Sequence, residues 1–238
     1  MVYGWNDVVD YETDKHNPRK DSFWFGAKGT KEQLSKLWKP IALVQLITAP
    51  IMIYLGGLNM VIAFALFILI NALYNKPKNG LRSAPPFELI CQIGYLLVVP
   101  MSIFLNDLET LPWQAFLYLF LFAMQSHLMG EVMDIKPDKK AGRKTTATIL
   151  GVVKTKGIII GLVILEILIL ILYFDAALFA GLLGFGLIWL LLDIIFIFKN
   201  KTYTLGQMKL FAVSSNLIGL ISIIYVWWSG CLMHVIDK

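Results

Sequence analysis

Residues 157–198 read GIIIGLVILEILILILYFDAALFAGLLGFGLIWLLLDIIFIF, with Glu166, Asp175 and Asp193 the only charged side chains among them. About 20 helical residues cross a bilayer core of ~30 Å. This run therefore holds two crossings, 157–174 and 176–198, separated by the turn Phe174 to Ala176. Working outward, five more apolar blocks fall near 38–56, 58–74, 87–105, 111–133 and 209–230. The composition agrees: 58% of the 238 residues are hydrophobic and 16% are charged, which places the chain outside the range of soluble domains. The reading is an all-α polytopic membrane protein in one domain, residues 1–238, with seven crossings.

Charge sets the orientation, because loops rich in Lys and Arg stay on the cytoplasmic side. Stretches 12–40, 75–86, 134–156 and 199–209 hold 20 of the 21 Lys and Arg residues, and the turns between them hold none. Only Lys238 lies outside. The amino end is expected inside and the carboxyl end outside. The net charge of +5 follows from this partition, so no nucleic-acid partner is needed to explain it. Cys91 and Cys231 stand in apolar segments without metal-ligand spacing and read as packing residues.

Two acidic clusters lie at the expected inner surface. In YGWNDVVDYETDKHNPRK, residues 3–20, Asn6, Asp10 and Asp14 are spaced by four and share one helical face, with Asp7 beside them. In GEVMDIKPDKKAGRKTTATILG, residues 130–151, Asp134 and Asp138 repeat the spacing, and Glu131 can share that face. Like charges spaced this way repel by a few tenths of a kcal/mol per pair. A bound cation reverses the sign, and oxygen-only ligands favour Mg²⁺ or Ca²⁺. The plain alternative is a set of solvated acids at helix ends. Against it stands the same spacing occurring twice on one side of the bundle, each time fringed with Lys and Arg, which suits a metal-bridged diphosphate.

A third element, LYNKPKNGLRSAPPFEL at 73–89, places Tyr74 and Lys78 four apart with Lys76 and Arg82 around them. These cations either grip phosphate oxygens or express the positive-inside rule alone. Pro85 and Pro86 open the next helix, where proline is tolerated and Glu88 complements the dipole.

The three elements together resemble the UbiA superfamily of intramembrane prenyltransferases. Asn6 to Asp14 fits its NDxxDxxxD pattern, Asp134 and Asp138 followed by Gly142 and Thr145 to Thr148 fit its second DxxxD motif, and Tyr74 to Lys78 resembles its YxxxK element. The resemblance implies a nine-helix bundle of which seven helices are present, helix one and most of helix two being expected upstream of Met1. It also implies a prenyl group passed from an isoprenoid diphosphate donor to a lipophilic acceptor, aromatic or isoprenoid, with Mg²⁺ assisting ionisation. Asp10, Asp14, Asp134 and Asp138 would be the catalytic carboxylates. Asn6, Asp7, Asp10 and Asp14 would hold one metal, Asp134 and Asp138 the other. Lys78, Arg19, Lys136, Arg82 and Tyr74 are the candidate diphosphate contacts.

The cationic prenyl fragment needs a dry aromatic wall, for which Tyr74, Phe87, Tyr95, Phe116 and Tyr118 are candidates. Glu166 stands mid-span, where an ionisable group faces a cavity or a partner. His127 and Asp193 pose the same question, with Lys199 the expected partner of Asp193. The expected location is integral to a membrane, the plasma membrane if the source is a bacterium or archaeon, with membrane lipid around the bundle and the acidic motifs on the cytoplasmic side. Two other classes compete: a non-catalytic membrane remnant, and a small-molecule transporter, which would carry its ionisable groups nearer midplane.

Overall fold

The computed structural model describes residues 2–20, 23, 25–26, 28–77 and 79–236, and within these the chain is helical with no strand. In order the helices are α1 (Val2–Asp14), α2 (Lys31–Lys36), α3 (Trp38–Tyr74), α4 (Phe87–Ile90), α5 (Ile93–Leu96), α6 (Val98–Asn106), α7 (Trp113–Lys140), α8 (Thr146–Leu150), α9 (Val152–Tyr173), α10 (Ala177–Leu192) and α11 (Leu205–Ser229). Among the described residues six helical runs are long and apolar enough to cross a membrane: Lys31–Tyr74, Phe87–Asn106, Trp113–Lys140, Val152–Tyr173, Ala177–Ile197 and Leu205–Ser229. Large apolar side chains cover their outer surfaces, Tyr54 at 87% exposure and Phe196 at 69% among them. Only hydrocarbon makes such a surface favourable, so this is an integral multi-pass membrane protein.

The difference between seven expected crossings and six helical runs lies at one residue. The blocks 38–56 and 58–74 run into each other with no loop between them, and α3 breaks at Gly57, whose φ of 63° and ψ of −154° are not helical. Glycine alone adopts that conformation readily. Ala49, Met52 and Ile53 before the break and Met60, Ala63, Phe64 and Phe67 after it share one cluster with Met101, Phe104 and Leu105. A straight rod would put Ala49 and Phe67 about 27 Å apart at 1.5 Å per residue. The nine-residue α6 spans only about half that, so the chain turns at Gly57 to bring both arms to it.

The chain divides into two compact units, Met1–Thr110 with Pro137–Thr145, and Leu111–Lys136 with Thr146–Lys238. In the first, α1 is packed on α2 and α3, with Trp5 and Trp38 edge to face at 5.4 Å. Thr30 and Gln33 form a reciprocal cap at the start of α2, each side chain bonding the other's backbone N–H. In the second, α9 packs along α10, and Leu128, Val132, Ile159 and Leu170 are fully buried. Tyr118 meets Phe179 edge to face at 5.5 Å. The α10 helix widens into a π-turn at Asp193–Ile197, and α11 starts from the same capping arrangement through Thr204 and Gln207.

Candidate functional site

The first acidic cluster forms within α1, as its spacing requires, and Asp10 is the residue on that face that is buried, at 4% exposure. An isolated carboxylate there would be costly. Two guanidinium groups make it tolerable. Arg82 donates from Nη1 to Asp10 Oδ1 and from Nη2 to the Val9 carbonyl at 3.2 Å. Arg143 donates from Nη1 to Asp10 Oδ2 at 3.3 Å and lies 3.9 Å from Asp138 Oδ1. Asp10 and Asp138, 128 residues apart in the chain, are thus joined across one arginine, all inside the first unit.

The end of α7 explains how Arg143 arrives there. Gly142 takes a left-handed φ of 71°, its N–H bonds the Lys139 carbonyl at 3.1 Å, and the Arg143 N–H bonds the Asp138 carbonyl at 2.9 Å. This is the Schellman closure of a helix. It folds Arg143 back beside Asp138, one turn from the end of α7. Arg82 is delivered by a short 3₁₀ turn, Leu81–Ser83, just after Gly80.

Further along α1, the Lys20 ammonium lies 3.0 Å from Asp7 Oδ1 and 3.1 Å from Asp14 Oδ2. Burial works to lower its pKa, but Asp14 and Asp7 outweigh burial and the ammonium ends above its ordinary value. Burial, and after it the like charge of Arg143, push the Arg82 guanidinium down to about 10, opposed by Asp138. It remains charged at neutral pH. Asp7, Tyr11 and Asp14 also line a cavity of about 220 Å³ whose other wall includes Gln33 and Leu34 of α2.

The remaining expected site residues are placed as follows. Arg19 holds its guanidinium 5.2 Å from the centre of the Phe25 ring. Tyr74, half-buried, ends α3, and Lys78 lies outside the described residues. Asp134, half-buried, and Lys136, exposed, belong to the second unit. Glu131 accepts from the Ala147 N–H at 3.0 Å, closing the first turn of α8, and its other oxygen is 3.2 Å from His127 Nε2. That is a structural use for both residues. Glu166 is fully buried in α9, and neither carboxyl oxygen has a hydrogen-bond partner among the described residues.

Lys20 and Arg143 were not among the residues singled out from the sequence. Each had a local signal: Lys20 closes the basic run that follows the first cluster, and Arg143 follows the glycine that ends α7. Asp193 differs from expectation too. Its side chain pairs with Lys156 at 2.7 Å and accepts from the Tyr203 hydroxyl at 2.5 Å, while Lys199 gives it only a backbone contact, N–H to carbonyl.

The donors on α1 suit a hard divalent ion by type. They are all oxygens, and Asn6 Oδ1 is buried with no hydrogen-bond partner among the described residues. Among those residues no three His, Cys, Asp or Glu side chains stand together as they would around an ion. Asp7, Asp10 and Asp14 are turned instead to Lys20, Arg82 and Arg143. The bases occupy the oxygens for which an ion would compete.

A family model described as the UbiA prenyltransferase family matches residues 1–216. The lycopene elongase/hydratase of Haloarcula japonica is 26% identical over 151 residues, 63% of this chain and 50% of that protein. That of Corynebacterium glutamicum is 29% identical over 154 residues, 63% of this chain and 53% of the relative. The C(50) beta-cyclic carotenoids biosynthesis protein LbtBC of a Dietzia species is 26% identical over 157 residues, 63% of this chain and 35% of that protein. The chain spans about half the length of the lycopene elongase/hydratases it matches and about a third of the Dietzia protein. No solved structure matches it significantly.

Proposed function

This chain belongs to the UbiA prenyltransferase family, and on that premise we propose that it passes a prenyl group from an isoprenoid diphosphate to a lipophilic acceptor. The observation that best supports this reading is the Asp10, Arg143 and Asp138 bridge, with Arg82 on the same carboxylate. A metal-bridged diphosphate needs carboxylates for its cation and guanidinium groups for its phosphate oxygens. Both converge here.

Magnesium, held by Asn6, Asp7, Asp10 and Asp14 with Asp138, would supply Lewis-acid stabilisation of the departing diphosphate worth several kcal/mol. The allylic C–O bond breaks and its electron pair leaves on the diphosphate. The allylic carbon then bonds to a π pair of the acceptor, which loses a proton. Arg82 and Arg143 hold the oxygens on which charge gathers, and their 12% and 15% exposure strengthens that contact relative to water. The names of the curated relatives support a polyene of the lycopene type as the acceptor.

The test is a product assay in detergent with a labelled allylic diphosphate against a panel of acceptors that includes polyenes and aromatic acids. Turnover is expected to stop on chelation and return with Mg²⁺. Asp10→Ala and Asp138→Ala are each expected to lower it at least ~100-fold, about 2.7 kcal/mol of barrier, with helical content retained. Metal-independent turnover, or full activity in either variant, would remove that carboxylate from the site. Absence of any product from an active preparation would favour a remnant or a transporter.

A further inference from the structure

Each carboxylate of the α1 ladder already holds a cation supplied by this chain. Two of these cations, Arg82 and Arg143, sit on the most buried acid. The third is different. Lys20 places one ammonium between two carboxylates seven residues apart on α1, at 3.0 Å from Asp7 and 3.1 Å from Asp14. Its side chain is 21% exposed, and Asp7 and Asp14 are 37% and 18% exposed, so this pair is the part of the ladder closest to water. The same two acids line the cavity of about 220 Å³ that faces α2. A hard ion entering that cavity, which Lys15 and Lys28 also line, meets both carboxylates, and the cation that bridges the two is the Lys20 ammonium on its flexible stem. A divalent ion attracts the pair more strongly than one ammonium does. Once displaced, the ammonium no longer has an acidic partner, and a diphosphate oxygen is the partner that satisfies it.

We propose that Lys20 is a tethered counter-ion: it holds Asp7 and Asp14 in the ion-free protein, yields them to the divalent ion, and then turns to the diphosphate. This rests on the prenyltransferase reading of the site. Metal and diphosphate binding are then coupled through one side chain, each strengthening the other by the same factor. Lys20 is a positioning residue in this scheme, and its signature is in binding.

Mn²⁺, whose free form is counted by paramagnetic resonance, is titrated into the full chain in detergent, with and without inorganic pyrophosphate. Removing the competitor in Lys20→Met is expected to tighten Mn²⁺ binding alone by about ten-fold. The enhancement of Mn²⁺ binding by pyrophosphate, about ten-fold or more in the wild type, should shrink by a similar factor. Lys20→Arg keeps the charge and should bind Mn²⁺ no more tightly than the wild type. Lys20→Gln keeps hydrogen bonding without charge and should follow Lys20→Met, so the comparison does not hang on the fold of one variant. Equal or weaker Mn²⁺ binding in both uncharged variants, with saturable binding in the wild type, overturns this inference and leaves the prenyltransferase reading standing. No saturable Mn²⁺ binding by any form overturns the metal reading beneath it as well.

Discussion

Two glycines bring the two guanidinium groups to Asp10, each for its own reason. At Gly80 the obstacle is space: a Cβ there would lie 2.4 Å from the Lys76 carbonyl oxygen and 2.7 Å from that of Tyr74. Neither atom can swing aside, because both are backbone. At Gly142 a Cβ would meet nothing within 4 Å, and the constraint is the left-handed φ of 71°. Gly142→Ala is therefore expected to cost about 1–2 kcal/mol, and Gly142→Asn less, since Asn tolerates that conformation. Gly80→Ala has no relaxed alternative, because the loop itself must open, and about 1–3 kcal/mol is expected by analogy with overpacking. Thermal unfolding in detergent measures both costs. Donor affinity provides the second readout, because either change moves an arginine away from Asp10. Unchanged stability in Gly142→Ala would mean that the chain reaches Asp138 without the left-handed turn.

At the scale of elements, the ends of α9, α10 and α11 are joined by a buried polar knot. Lys156 on α9 is fully buried, pairs with Asp193 at 2.7 Å, lies 4.6 Å from the centre of the Tyr203 ring and reaches the Lys199 carbonyl at 3.5 Å. Tyr203 donates to Asp193 in turn, and burial, then Asp193, push its hydroxyl pKa up. Asp193→Asn leaves the Lys156 charge buried without a counter-charge and is expected to cost about 3–5 kcal/mol. Tyr203→Phe removes one hydrogen bond and should cost about 1–3 kcal/mol. The double variant Lys156→Met, Asp193→Leu removes both charges and should recover most of the loss, which thermal unfolding of the three proteins will show. A double variant no more stable than Asp193→Asn would refute the charge-burial account.

This knot also marks the limit of what could be read beforehand. Helices, their apolar faces and the four-residue acidic spacing are local properties, and they were legible in α1 and α7. Which lysine of VKTKG turns inward depends on the rotation of α9 against α10, a tertiary property. In the sequence Lys156 is one of several lysines in a basic stretch and Lys199 is the near neighbour of Asp193, whereas the packing of α9 makes Lys156 the side-chain partner. Lys20 and Arg143 escaped notice on similar grounds. A base among bases looks like the positive-inside rule until the fold shows which acid it meets.

For the whole molecule the open question is orientation, and the charge partition makes a definite statement about it. The helices end at loops that are either strongly basic or free of basic residues, and the stretches carrying the acidic site belong to the basic set. Moving these loops to the outer face would place Lys15, Lys28, Lys139, Lys140 and Lys144 against the retention rule that governs short loops. The loop 107–112, with Asp107 and Glu109 and no lysine or arginine, is the natural outer turn between Phe87–Asn106 and Trp113–Lys140. Single cysteines at Lys28, Lys144 and Glu109, in a protein whose Cys91 and Cys231 are first changed to serine or alanine, report this directly. A membrane-impermeant thiol reagent added to intact cells is expected to label the Glu109 position alone, and the other two only after the membrane is opened. Labelling of Lys28 or Lys144 in intact cells would put an acidic motif on the outer face, away from a cytoplasmic supply of diphosphate, and the proposed reaction would lose its substrate.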